Sequence, residues 1–119
     1  MTEKHENKYS IDYSTFIKNV ENITGLSPAD LLHSYEEFIS GLNEYENVEN
    51  YSEWQYEFDY DAYIRIEIEK VVSNVELSNN TFLKQFKDKV ELLDSQFKKF
   101  LKNGDDDKWW ETPKIKFQN

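Results

Sequence analysis

The chain predicts an all-α fold, a helical bundle of about four helices with an ordered C-terminal tail. Three observations carry that expectation. Apolar residues recur at three- and four-residue intervals in separate stretches of the chain. Breakers are scarce, with 3 Gly and 2 Pro in 119 residues, which suits long helices better than a turn-rich sandwich. Aromatic residues make up 16% of the chain, a load that goes with a packed core and against disorder. The length fits one domain. It reads as residues 11–119 following a polar, flexible arm over residues 1–10.

The first helix is expected over 11–23, where Tyr13, Phe16, Ile17, Val20 and Ile23 form one stripe. Ser10 or Asp12 can cap its start, and Gly25 lies just past its end. The second helix has the clearest start signal. Ser27 is placed as N-cap, Pro28 fits the first helical position, and Asp30 completes a variant capping box. Leu31, Tyr35, Phe38, Leu42 and Tyr45 then follow helical spacing, widened by Leu32 and Ile39. Gly41 falls inside that span, at a cost of about 1 kcal/mol against Ala.

Residues 54–68 support two readings. Trp54, Tyr56, Phe58, Tyr60, Ala62, Ile64, Ile66 and Ile68 alternate with mostly charged residues, the period of a strand. A hairpin over 52–72, giving an α+β fold, is therefore the alternative. Yet one strand of that length exceeds the usual span of roughly 3–10 residues. The Asp59-Tyr60-Asp61-Ala62 stretch also lacks hairpin turn residues. A helix over 52–74 meets no breaker and puts Tyr56, Tyr60, Ile64, Ile68, Val71 and Val72 on one face. It sets Glu53, Glu57, Asp61, Arg65 and Glu69 in an i,i+4 row, with Arg65 able to pair with Asp61 or Glu69. Length favours the helix. The last helix reads from Phe82 through Phe86, Val90, Leu93, Phe97 and Phe100, broadened by Leu83, Leu92 and Leu101, and is expected to end at Gly104.

Charge is unevenly spread. The net charge is −10, and the stretch from Asn19 to Ile64 contains no Lys or Arg. Its acids are Glu21, Asp30, Glu36, Glu37, Glu44, Glu46, Glu49, Glu53, Glu57, Asp59 and Asp61. Single-sign fields repel themselves and destabilise a compact state, so a surface of this kind points to a positive partner rather than to solubility alone. Direct binding to nucleic acid or to an anionic membrane is disfavoured, since both demand basic residues. No apolar run approaches the roughly 18 residues of a membrane span. The absence of cysteine excludes disulfides and thiolate metal sites. With a polar N-terminus that does not read as a signal peptide, a cytoplasmic location is expected.

Catalytic chemistry has little to stand on. His5 and His33 are the only histidines, and with no Cys a nucleophile–base pair lacks its parts. Carboxylates are too numerous for any one pair to indicate a hydrolase, so no enzyme is expected. Asp105-Asp106-Asp107 with Glu111 lacks EF-hand spacing and reads as a solvated loop. No metal or cofactor is expected. Trp109-Trp110, ahead of Pro113, reads as a lock on the tail, as an interface anchor, or as one of each. The expected partner-binding residues are Glu46, Glu49, Glu53, Trp54, Tyr56, Glu57, Asp59, Tyr60, Asp61 and Trp110. The acids would steer a basic protein, and the rings would form the desolvated centre.

Three stretches carry a resemblance. They are Tyr63-Ile64-Arg65-Ile66-Glu67-Ile68-Glu69, Leu92-Leu93-Asp94-Ser95-Gln96-Phe97 and Trp109-Trp110-Glu111-Thr112-Pro113. In a small, acidic chain they resemble bacterial immunity proteins that neutralise contact-dependent-inhibition and other polymorphic nuclease toxins. They span about half of the chain, from the third helix to the tail, and each is short. The resemblance implies a non-enzymatic inhibitor that binds one cognate toxin tightly. It would cover the active site or an adjacent surface needed for RNA or DNA, using acids and aromatics between Glu46 and Asp61. Two other readings fit the same acidity: a phage-type anti-defence protein that mimics nucleic acid, and an acidic adaptor joining two partners.

Overall fold

Ser27 starts the second helix as its residue type predicts. Its Oγ accepts the Asp30 N–H at 3.1 Å, with Pro28 in the first helical turn. The computed structural model describes the backbone of residues 2–42 and 51–116, and the side chains of residues 13–42 and 55–116. Among the described residues four helices follow one another: α1 (Thr2–Thr24), α2 (Pro28–Ser40), α3 (Tyr51–Val72) and α4 (Thr81–Lys98). A 3-10 turn at Val75–Leu77 joins the last two. No strand occurs among the described residues, only an isolated antiparallel bridge between Leu101 and Ile115. The all-α bundle is the fold.

Helix α1 is longer than its apolar stripe. Its backbone continues to Thr2, so the boundary expected at residue 11 is not a break in the helix. The physical reason is that residues 2–10 contain no Gly or Pro to stop it. Gly25 ends the helix in the left-handed region, φ 81°, with its N–H on Glu21 O at 2.7 Å. Helix α2 ends at Ser40. Gly41 therefore caps its C-terminus in right-handed geometry instead of sitting mid-helix, and Tyr45 lies outside the described residues.

Helix α3 settles the ambiguous stretch, and the face expected to hold Tyr56, Tyr60, Ile64, Ile68, Val71 and Val72 splits. Ile64 and Val72 pack against the core beside the buried Ile68 and Val71, but the two tyrosines turn outward. Phe58, Ala62, Arg65, Ile68 and Val71 are buried, whereas Tyr56 and Tyr60 are 83% and 77% exposed. The alternation is coincidental. A strand would put residues 56, 58 and 60 on one side, but at 100° per residue Phe58 lies nearly opposite the two tyrosines.

Short-range caps position α4. The Asn74 side chain accepts the Leu77 N–H at 3.2 Å, and that of Asn80 accepts the Phe82 N–H at 2.8 Å. Leu83, Phe86, Val90, Leu93 and Phe97 form the buried stripe. Leu92, expected to widen it, is 67% exposed. The helix stops at Lys98, well before Gly104. That glycine instead allows the tail to approach the helix end, since a Cβ there would lie 3.2 Å from Lys98 Cβ.

The core is a chain of aromatic contacts. Phe38 meets Phe58 at 5.7 Å and Phe97 at 5.2 Å between ring centroids. Phe97 also meets Tyr35 at 6.0 Å and Trp109 at 5.5 Å, edge to face. The tail is fastened over α4 by backbone bonds, Lys102 N–H to Lys114 O and Lys116 N–H to Phe100 O, both 2.7 Å. Asn103 clamps it again, donating to Thr112 O at 3.1 Å and accepting the Lys114 N–H at 2.8 Å. Ile115 is thereby buried. Ile115→Ala is expected to destabilise the fold by about 2–5 kcal/mol in urea unfolding. Leu92→Ala, on the solvent side of α4, is expected to stay within about 0.5 kcal/mol of the parent.

Candidate functional site

Arg65 is the sole Lys or Arg between Lys18 and Lys70, and it is only 5% exposed. A charge in that position requires partners. Its Nε and Nη2 donate side-on to Asp94 Oδ1 and Oδ2 at 2.8 and 3.0 Å, and Nη1 donates to Glu69 Oε1 at 2.9 Å. The guanidinium carbon lies 5.4 Å from the Trp109 ring centre and 5.3 Å from that of Trp110. Tyr35 OH donates to the same Asp94 Oδ1 at 2.6 Å. One side chain thus ties α3 to α4 and to the tail, and through Asp94 to α2. The three stretches that carry the sequence resemblance meet here.

The surroundings shift both titratable partners. Burial is the largest influence on Arg65 and alone would lower its pKa. The hydrogen bonds and charge of Asp94 outweigh it and hold the guanidinium above its ordinary value. For Tyr35, burial acts first and the neighbouring Asp94 charge second, and together they push the phenol well above its ordinary value.

With Arg65 drawn inside, the outer face of α3 is left to other groups. Tyr56, Tyr60 and Tyr63 stand along it at four- and three-residue intervals, with Tyr63 50% exposed. They form a crest between two hollows. On one side, Asp61 and Ile64 of α3 meet Ser34, Glu37 and Phe38 of α2 around about 310 Å³. On the other, Asp59, Tyr63 and Ile66 face Trp110, Glu111 and Pro113 across a groove of about 410 Å³. Each hollow carries one carboxylate from α3 and one from a neighbouring element. The next cation along α3, Lys70, is paired with Glu67 at 2.8 Å, a bond that raises the Lys70 pKa.

The structure therefore brings together Tyr56, Glu57, Asp59, Tyr60, Asp61 and Trp110 from the expected set, all on or beside the crest. Tyr56 and Tyr60 lie on the solvent face, apart from Ile64, Ile68, Val71 and Val72, with which they were expected to share one side of the helix. Glu53 and Trp54 lie in the first turn of α3 by backbone, with side chains outside the described residues, as Glu46 and Glu49 are entirely. Sequence reasoning missed Tyr63 as the third ring of the crest and Glu37 and Glu111 as its flanks. The 4-3 spacing of Tyr56, Tyr60 and Tyr63 was the available signal. It missed Asp94 as the ligand of Arg65, for which adjacent sequence offers no signal.

Of the remaining candidates, His33 is exposed on α2 with Nε2 at 3.0 Å from Glu37 Oε1. Asp105, Asp106 and Asp107 are exposed, and no cluster able to hold a metal occurs among the described residues. No helix among them is long and apolar enough to cross a membrane. No family model, curated protein or solved structure matches the chain.

Two outcomes test the Arg65 cluster. Arg65→Met should cost about 3–5 kcal/mol in urea unfolding, because it leaves Asp94 without its counter-charge. Adding Asp94→Leu together with Tyr35→Phe should restore roughly 1 kcal/mol or more, because neither a buried carboxylate nor a buried hydroxyl is then left without its partner. The second outcome is alkaline. The folded pKa of Tyr35 lies above its unfolded value of about 10, so its contribution to stability is intact below that pH. It shrinks as pH rises towards the folded value, because the unfolded chain ionises first, at up to about 1.4 kcal/mol per pH unit. Tyr35→Phe should remove one proton equivalent from the slope of unfolding free energy against pH in that window.

Proposed function

We propose that this chain is a non-enzymatic inhibitor of the immunity type, which binds and neutralises a basic toxin, a nuclease by preference, through the crest of α3. The observation that carries the reading is three exposed tyrosines flanked by carboxylates, on a helix whose one central cation is buried. Tyrosine supplies large contact area at little entropic cost and is enriched among binding hot spots. The surrounding acids would accelerate encounter with a basic partner by about 10–10³-fold. A nuclease fits that description because its substrate cleft must itself be basic to hold phosphates. The sequence resemblance leads to the same class.

The experiment is capture of the partner from native lysate by the tagged full chain, followed by a nuclease assay of the captured protein with increasing inhibitor. Tyr60→Ala should weaken binding by about 30-fold, the scale of a 2 kcal/mol hot spot. Glu57→Lys with Asp61→Lys should mainly slow association and flatten its salt dependence. Circular dichroism should be unchanged in each case. Leu92→Ala, on α4 and lining neither hollow, should inhibit like the parent. Full inhibition by the Tyr60 and Glu57/Asp61 variants would reject the crest as the interface.

A further inference from the structure

The groove between α3 and the tail has a composition that the crest lacks. Its sides include two flat aromatic rings, Tyr63 and Trp110, and the apolar Ile66 and Pro113, with the carboxylates of Asp59 and Glu111 among them. Neither carboxylate has an ion-pair partner among the described residues. Lys114 also borders the groove and pairs with neither of them. A volume of about 410 Å³ lies within the range of ligand-sized pockets.

We propose that this groove is a socket for one arginine side chain of the protein partner. The assignment rests on the reading above, that the partner is a basic protein, and specifies how one of its cations is held. Two aromatic rings and two carboxylates lining one groove match a planar cation that can lie on a ring face and donate to oxygen at once. Guanidinium does both, and its weak hydration lets it leave water readily. An ammonium is compact and strongly hydrated, so it gains less from ring faces. The wall is also pre-organised. Trp110 is half-buried, held edge-to-face on Trp109 at 6.0 Å, and already carries the Arg65 guanidinium 5.3 Å from its ring centre. A ring held on two sides loses little freedom when a third group lands on it.

The test needs no knowledge of the partner. Isotope-labelled full-length protein is titrated with capped tripeptides Gly-Arg-Gly, Gly-Lys-Gly and Gly-norleucine-Gly, with NMR spectra reporting on the Trp110 indole N–H and the Tyr63 amide. The arginine peptide should give saturable shifts at both positions, the lysine peptide should bind at least about threefold more weakly, and the norleucine peptide should give none. Asp59→Asn with Glu111→Gln, both at exposed positions, should weaken the arginine peptide by about tenfold. Equal response to lysine, shifts spread over the acidic surface, or binding that survives the double variant would overturn the socket. If the peptides fail while the crest variants abolish inhibition, the socket is wrong and the inhibitor reading stands. If the peptides bind while the crest variants inhibit fully, the inhibitor interface is wrong and the groove remains an arginine site.

Discussion

A guanidinium in the interior of a 119-residue bundle constrains everything around it. Removing an ion from water costs several kcal/mol even after relaxation, and the cost is met only when its donors are satisfied with good geometry. Arg65 meets that condition with a bidentate carboxylate, a second carboxylate and two indole rings. Asp94 comes from α4 and both indoles from the tail, whereas Glu69 lies one turn away on α3. The position of α3 is therefore tied to the charge of Asp94 on α4, and the fold of the tail to the contacts of Trp109 and Trp110 with the guanidinium. Tyr35 extends the network to α2 by donating to the same carboxylate oxygen.

The cluster also shapes the surface. The three charged members sum to −1, since one guanidinium faces two carboxylates, so nothing positive emerges from the middle of α3. Among the described residues, the exposed side of that helix then shows tyrosines, acids and Gln55 until Lys70, which is bound to Glu67 and lies 5.8 Å from the Tyr63 ring centre. A cation in that stretch could have offset the local field, but it is spent in the core. The same device sets Trp110 at the edge of a groove instead of inside the bundle. Interior electrostatics and the proposed recognition surface thus share one residue pair, Arg65 and Trp110, so that surface is only as rigid as the packing beneath it.

The aromatic content divides along the same line. Phe38, Phe58, Phe97 and Trp109 form the interior contacts, and Tyr56, Tyr60 and Tyr63 the exterior crest. Phenylalanine has no polar atom to satisfy and packs without penalty, whereas an exposed tyrosine keeps its hydroxyl in water. Tyr35 is the exception that shows the rule: buried, it needs Asp94.

Much of the fold was legible in the residues alone. Ser27-Pro28 announced α2, the stripe from Phe82 to Phe100 announced α4, and the scarcity of glycine and proline favoured long helices over a turn-rich sandwich. The lysine-free acidity from Asn19 to Ile64 was equally plain, because charge is a property of composition. The rotation of α3 was not. Phe58 and its neighbours Tyr56 and Tyr60 are all large and aromatic, so periodicity could not tell which side faced inward, and only packing against Phe38 decided it. Nor could spacing reveal that Arg65 is buried, since an arginine among acids reads as a wet i,i+4 pair. Its principal partner, Asp94, stands 29 residues away and reaches it only when α3 and α4 lie side by side. Local propensity determines helices; the pairing of distant charges belongs to the assembled bundle.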